Sequence, residues 1–283
     1  MDADRRGALA LIGGGAVLAA APGWATSLSL PPLELTASQL TQGGWARGIA
    51  RGGLTLDLDG AAIPTAPDGT FLIAFDRDAR PAATLSGKAA NGWAASRGLT
   101  IAPRAWQIER IDTPLRPPGV PDTAFQRIRA DEVAQIAAAR ARVTEAQGWR
   151  QAMVRPAAGR VSGRFGAQRI YRGTPGAYHT GLDIAAGSGT AIHAPADGVV
   201  VLAAAAAFTL EGKLLLIDHG MGLSSAFLHC SAHAVREGDA VRQGQPIAAV
   251  GMTGRATGLH LHWGLRWRSA RLDPLLFLPA GAG

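Results

Sequence analysis

Glycine interrupts this chain 37 times in 283 residues, and proline 17 times more. Each glycine inside a helix costs about 1 kcal/mol relative to alanine and each proline about 3, so a chain punctuated this densely does not build a helical bundle. Short strands joined by turns are what remains. The glycines follow no fixed period, which excludes a collagen-like fibre. Apolar residues make up 47% and charged residues 17%, so there is material for a core and the chain is not of the disordered class. The length suggests two domains.

Ala8 to Ala21 is an apolar run preceded by Arg5-Arg6 and followed by Pro22-Gly23. It is too short to span a bilayer and has the form of a secretory signal, so residues 1–27 are set aside from the fold. Arg5-Arg6 is also similar to a twin-arginine export signal, although Gly7-Ala8-Leu9 lacks the usual large apolar residue directly after the pair. Either route places the mature chain outside the cytoplasm, in the periplasm or on the cell envelope.

Residues 28–116 alternate short strands with turns and predict a β-sandwich-like domain. Leu54 to Leu58 sets three leucines on one face before an Asp59-Gly60 turn, Thr70 to Phe75 forms another strand, and Trp106 to Glu109 alternates again. Pro114 through Pro121 marks a break, and residues 117–150 hold a linker and a connecting α-helix. Thr123 and Gln126 form a capping-box pattern opening that helix, which should end near Gly148. Its stripe of Phe125, Ile128, Val133, Ile136 and Val143 should dock on a domain, while Arg127, Arg129, Arg140 and Arg142 form a solvated face. Residues 151–283 predict a compact antiparallel β domain without a long helix. Its strands are expected around residues 199–202, 213–217, 225–229, 240–241, 246–250 and 259–265.

The formal charge of +7 makes a polyanion a plausible partner. Its basic residues are scattered and not interleaved with aromatics, which argues against nucleic acid and suits an anionic envelope. The single cysteine, Cys230, excludes an intramolecular disulfide framework.

All seven histidines fall after residue 178, a clustering that folding alone does not demand. His179 and Asp183 lie four apart, and His260 and His262 two apart. On a strand, His260 and His262 would face one cavity while Leu261 and Trp263 face the other way. Two histidines and one aspartate leave a fourth tetrahedral position for water, the requirement of catalytic zinc. Spacing alone does not decide which of His260 and His262 would touch the metal.

The stretches Gly163-Arg-Phe-Gly166, His179 to Ala185, Ala194 to Gly198, Ile217 to Gly220, Phe227-Leu-His229 and Gly251 to Trp263, in this order, resemble the lysostaphin-type (LytM-like) zinc endopeptidases over about residues 155–275. The resemblance implies one Zn²⁺ per chain held by His179, Asp183 and His262, with His229 and His260 as two catalytic imidazoles that do not bind the metal. It implies an exported peptidoglycan hydrolase whose substrates are stem-peptide cross-links. The N-terminal domain is then free to meet envelope protein partners. A competing expectation is an inactive LytM-like regulator of another wall hydrolase; such domains lack metal residues, and here all three are present.

Some positions depart from the family pattern. Phe227 replaces a usual Tyr, removing a hydroxyl that could touch substrate; Cys230 replaces a usual Leu; Gly264 stands where many relatives carry Glu. Cys230 is expected to be a buried small hydrophobe. His193, His219 and His233 are read as structural or solvated, and Asp197 and Asp218 as turn carboxylates bonding nearby amides.

Overall fold

The computed structural model describes residues 32–112 and 123–281, which belong to one compact unit running from Pro31 to Gly283. The expected export signal at 1–27 and the proline-rich break at 114–121 lie outside the described residues.

The N-terminal strands are β1 (Leu33–Gln39), β2 (Trp45–Ala50), β3 (Thr55–Leu58), β4 (Ala61–Ile63), β5 (Thr70–Ala74), β6 (Ala82–Lys88), β7 (Ala94–Thr100) and β8 (Ile108–Ile111). Asp59 and Gly60 have φ of 51° and 82°, the paired left-handed conformation of a type I′ turn, so β3 and β4 form the expected hairpin. Strands β1-β2-β5 make one antiparallel sheet and β4-β3-β6-β7 another. Leu33, Phe71, Leu56, Leu85 and Leu99, drawn from both sheets, are buried in a common core. Trp45 ties this region to the C-terminal segment: its indole donates to the Leu276 carbonyl at 2.8 Å and its ring meets Phe277.

The helix α1 (Thr123–Ala141) starts at the expected residue and stops seven short of Gly148. A contact distant in sequence ends it. The Asp218 carboxylate accepts from both the amide and the hydroxyl of Thr144, which draws the chain off the helical path. The docking face also differs from the apolar stripe. Ile128, Val133 and Val143 are 52%, 48% and 87% exposed, while Glu132, Ile136 and Ala139 are buried. A carboxylate belongs to that face because Thr209 supplies it with an amide and a hydroxyl donor, each at 2.6 Å. Nor is the basic face merely solvated, since Arg129 pairs with Glu211 and Glu132, and Arg142 with Glu237.

Thirteen strands follow: β9 (Arg160–Gly163), β10 (Gln168–Tyr171), β11 (Thr174–Pro175), β12 (Leu182–Ala185), β13 (Ala191–His193), β14 (Gly198–Ala203), β15 (Lys213–Gly220), β16 (Leu223–Cys230), β17 (Ala232–His233), β18 (Ala240–Val241), β19 (Pro246–Ala249), β20 (His260–Trp267) and β21 (Ala270–Leu272). The molecule is mainly β, and after Ala141 the described residues contain only two short 3₁₀ turns, Gly148–Arg150 and Pro274–Phe277. The central sheet runs β18-β14-β15-β16-β20-β12-β9, antiparallel throughout, with β21 on β20. Its apolar face buries Leu182, Ile184, Ile217, Phe227, Leu261 and Trp263. β8 crosses from the N-terminal part to pair in parallel with β10.

Candidate metal centre

The register of β12 against β20 sets Asp183 directly opposite His262. Alternation along β20 buries Leu261 and Trp263 completely and turns His260 and His262 to the other side, as the sequence predicts. His179 enters from the loop before β12. That loop passes so close to β20 that a Cβ at Gly181 would stand 2.6 Å from His262 Nε2, so only glycine fits there.

Three atoms converge. His179 Nε2 lies 3.0 Å from Asp183 Oδ1 and 3.1 Å from His262 Nδ1, and His262 Nδ1 lies 2.9 Å from Asp183 Oδ1. Donors at the ~2.0–2.2 Å bond lengths of zinc stand about 3.3 Å apart in a tetrahedron, so the spacing fits such an ion with little adjustment. The donor chemistry fits as well. His179 donates from Nδ1 to the Arg164 carbonyl at 3.0 Å, which leaves the Nε2 lone pair turned inward. Burial opposes ionisation of Asp183, but the imidazoles of His179 and His262 packed against it outweigh burial and hold the carboxyl well below the usual carboxylate range. Burial lowers His262 and favours the neutral ring a metal needs. In His179, burial works against the charge and the Asp183 carboxylate more than offsets it, so this ring is raised.

His229 and His260 stand beside this trio, their ring centroids 5.0 Å apart. His260 Nε2 is 3.8 Å from Asp183 Oδ1, outside the convergent set, which separates it from His262 where sequence spacing treats the two alike. Each of the two rings donates from Nδ1 to a backbone carbonyl at 2.8 Å, His229 to Thr253 and His260 to Gly258. Their Nε2 atoms are thereby left as acceptors. Burial pushes the His229 pKa down. His229 has φ of 64°, a left-handed conformation uncommon outside glycine, at an irregularity in the β15–β16 pairing. All five side chains line one cleft of about 430 Å³, joined by Arg255.

The carbonyls of Arg164, Thr253 and Gly258 orient the rings, and no side-chain pattern signals them. Phe227 is fully buried in the core, so a hydroxyl at that position would point away from the cleft. Cys230 is buried, as expected, and its burial pushes the thiol up to about 12. His219 is fully buried too: it donates from Nδ1 to the Asp197 carbonyl at 2.8 Å and accepts from the Ser225 hydroxyl at 2.7 Å. That hydroxyl accepts in turn from the Trp263 indole at 3.2 Å. The Asp197 carboxylate takes the Gln243 amide and that of Asp218 the Thr144 amide, partners distant in sequence rather than neighbours in a turn.

Residues 177–274 match peptidase family M23, and this stretch of the chain is an M23 (LytM-like) domain. The DD-carboxypeptidase/endopeptidase Mpg of Neisseria meningitidis serogroup B is 39% identical over 97 residues, which are 34% of this chain and 22% of that protein. The murein hydrolase activator NlpD of Escherichia coli is 37% identical over 124 residues, 44% of this chain and 30% of its own length. The matches therefore span less than a third of either relative. A crystal structure of an M23-family chain from Pseudomonas aeruginosa superimposes with a TM-score of 0.67 at 26% identity, covering 87% of this chain and 96% of that one. That likeness extends well beyond the M23 match.

Proposed function

We propose that this chain is an exported zinc-dependent endopeptidase that hydrolyses peptide cross-links of peptidoglycan. One observation carries the reading: the donor atoms of His179, Asp183 and His262 converge within 4.8 Å of one another, beside two further imidazoles with free Nε2 atoms. A bound zinc ion would supply Lewis acidity at the scissile carbonyl and an acidified water at neutral pH. His179, Asp183 and His262 would hold it. One of His229 and His260 takes the proton of the attacking water, and the other, protonated, donates to the oxygen that gains charge in the tetrahedral transition state. The backbone carbonyls of Thr253 and Gly258 fix both rings for this exchange.

In this reading residues 1–27 direct export and are removed, residues 28–116 form the N-terminal module, residues 117–150 connect, and residues 151–283 carry catalysis. The N-terminal module also offers a surface to envelope proteins. A second reading, favoured by the likeness to a murein hydrolase activator, is a regulator without catalysis. Zinc per chain, measured by elemental analysis, separates them together with turbidity loss of a peptidoglycan suspension. The enzyme holds one zinc and clears the suspension, and Asp183→Ala abolishes both. A zinc-loaded chain that clears nothing but accelerates a second hydrolase would establish the regulator.

A further inference from the structure

A second cavity also borders His262. It measures about 320 Å³ and lies between α1 and the strands β16, β20 and β21. Four arginines and one glutamate line it. The glutamate, Glu211, is already engaged by Arg129 through two hydrogen bonds of 2.7 and 2.8 Å. That leaves Arg140, Arg266 and Arg271, none of which forms an ion pair among the described residues.

Folding alone does not favour such a cluster. Arg266 and Arg271 sit directly opposite each other in the β20–β21 ladder, where like charges are destabilising. The Nε of Arg266 is buried without a hydrogen-bond partner, and its guanidinium donates only from Nη2, to the Ser269 carbonyl at 3.2 Å. An anion in the cavity would offset the repulsion between Arg266 and Arg271.

The wall shared with the metal centre is open in a matching way. Gly264 has no side chain, and a Cβ there would meet nothing closer than 3.7 Å. His262 Nε2 lies beside it, with no hydrogen-bond partner among the described residues, while Nδ1 faces Asp183.

We propose that this cavity is a carboxylate subsite, in which a free carboxylate of the peptide substrate lodges among Arg140, Arg266 and Arg271. The guanidinium fork matches a carboxylate in two-point geometry, and charge-assisted bonds give it selectivity over a neutral amide. The inference rests on the reading that the metal centre acts on peptides. It adds that the preferred peptides carry an unamidated acid close to the bond that is cut.

The test is calorimetric titration of the zinc-loaded full chain with an acidic stem tetrapeptide and with the same peptide fully amidated. The acidic peptide should bind at least about tenfold tighter, a difference of one charge-assisted contact. Arg266→Gln and Arg140→Gln should each lower its affinity toward that of the amidated twin, and should leave the twin's affinity and the zinc content unchanged. Equal binding of the two peptides by the unaltered chain, binding of neither, or discrimination that survives both substitutions overturns the subsite. Hydrolysis is scored separately: cleavage without discrimination removes the subsite alone, and discrimination without cleavage removes the enzymatic reading alone.

Discussion

Arg77 donates from Nε and Nη2 to the carbonyl of Gly166 at 3.2 and 3.0 Å, across 89 residues of sequence. The guanidinium is buried between the rings of Trp106 and Tyr178, at 5.1 and 4.6 Å from their centroids. Gly166 donates its amide to the His179 carbonyl at 2.8 Å, and the His179 ring bonds back to Arg164 in the same loop. The loop that brings His179 to the candidate metal centre is thus held from the N-terminal part of the fold.

Arg77→Ala should therefore lower zinc affinity as well as stability. Losing two charged hydrogen bonds to a buried carbonyl costs about 1.5–3 kcal/mol. Gly166→Ala should act more strongly, because φ there is 81° and a Cβ would stand 2.2 Å from Trp106 Cε3. Thermal melts and zinc titrations check both; unchanged zinc affinity in either variant would show that the loop needs no such support.

His229→Ala and His260→Ala should keep zinc and lose about 10²- to 10⁴-fold in turnover, the range for a positioned acid or base. His179→Ala and His262→Ala should lose the metal itself. Elemental analysis beside a turnover assay separates the two groups.

Glu132 gives a pH signature. Burial raises its pKa, but the Thr209 and Arg129 hydrogen bonds outweigh this and lower it on balance. A depressed carboxyl contributes stability that is full above the unfolded value of about 4.3 and is lost as pH falls through the folded value. The melting-temperature gap between the native chain and Glu132→Gln should be wide at pH 7 and close below pH 4. A gap that is constant with pH would remove the charge from the account.

Cys230 should be silent. With its pKa near 12 and its side chain fully buried, the thiol stays protonated and shielded at pH 8. A disulfide-exchange reagent should titrate no thiol in the folded chain and one per chain in denaturant.

Part of the candidate metal centre was legible in the sequence because local spacing brings its residues close. His260 and His262 alternate on β20 as the strand repeat requires, whereas His179 comes from the loop before β12 and only Asp183 lies on that strand. The Asp59-Gly60 hairpin was legible from its turn residues, which take the left-handed conformation. What escaped is non-local. The end of α1 depends on Asp218, 74 positions beyond Thr144, and the docking face depends on Thr209 solvating Glu132. The register that sets Asp183 beside His262 is invisible to spacing alone, and the ring-orienting carbonyls belong to residues whose side chains carry no signal.

The most direct test is mass spectrometry of the soluble fragments released when the purified chain meets isolated peptidoglycan sacculi, with a chelated sample beside it. The account predicts new peptide termini that appear only with zinc and vanish with His229→Ala. A folded, zinc-loaded chain that releases no fragment, or fragments whose new ends are in the glycan, would contradict it.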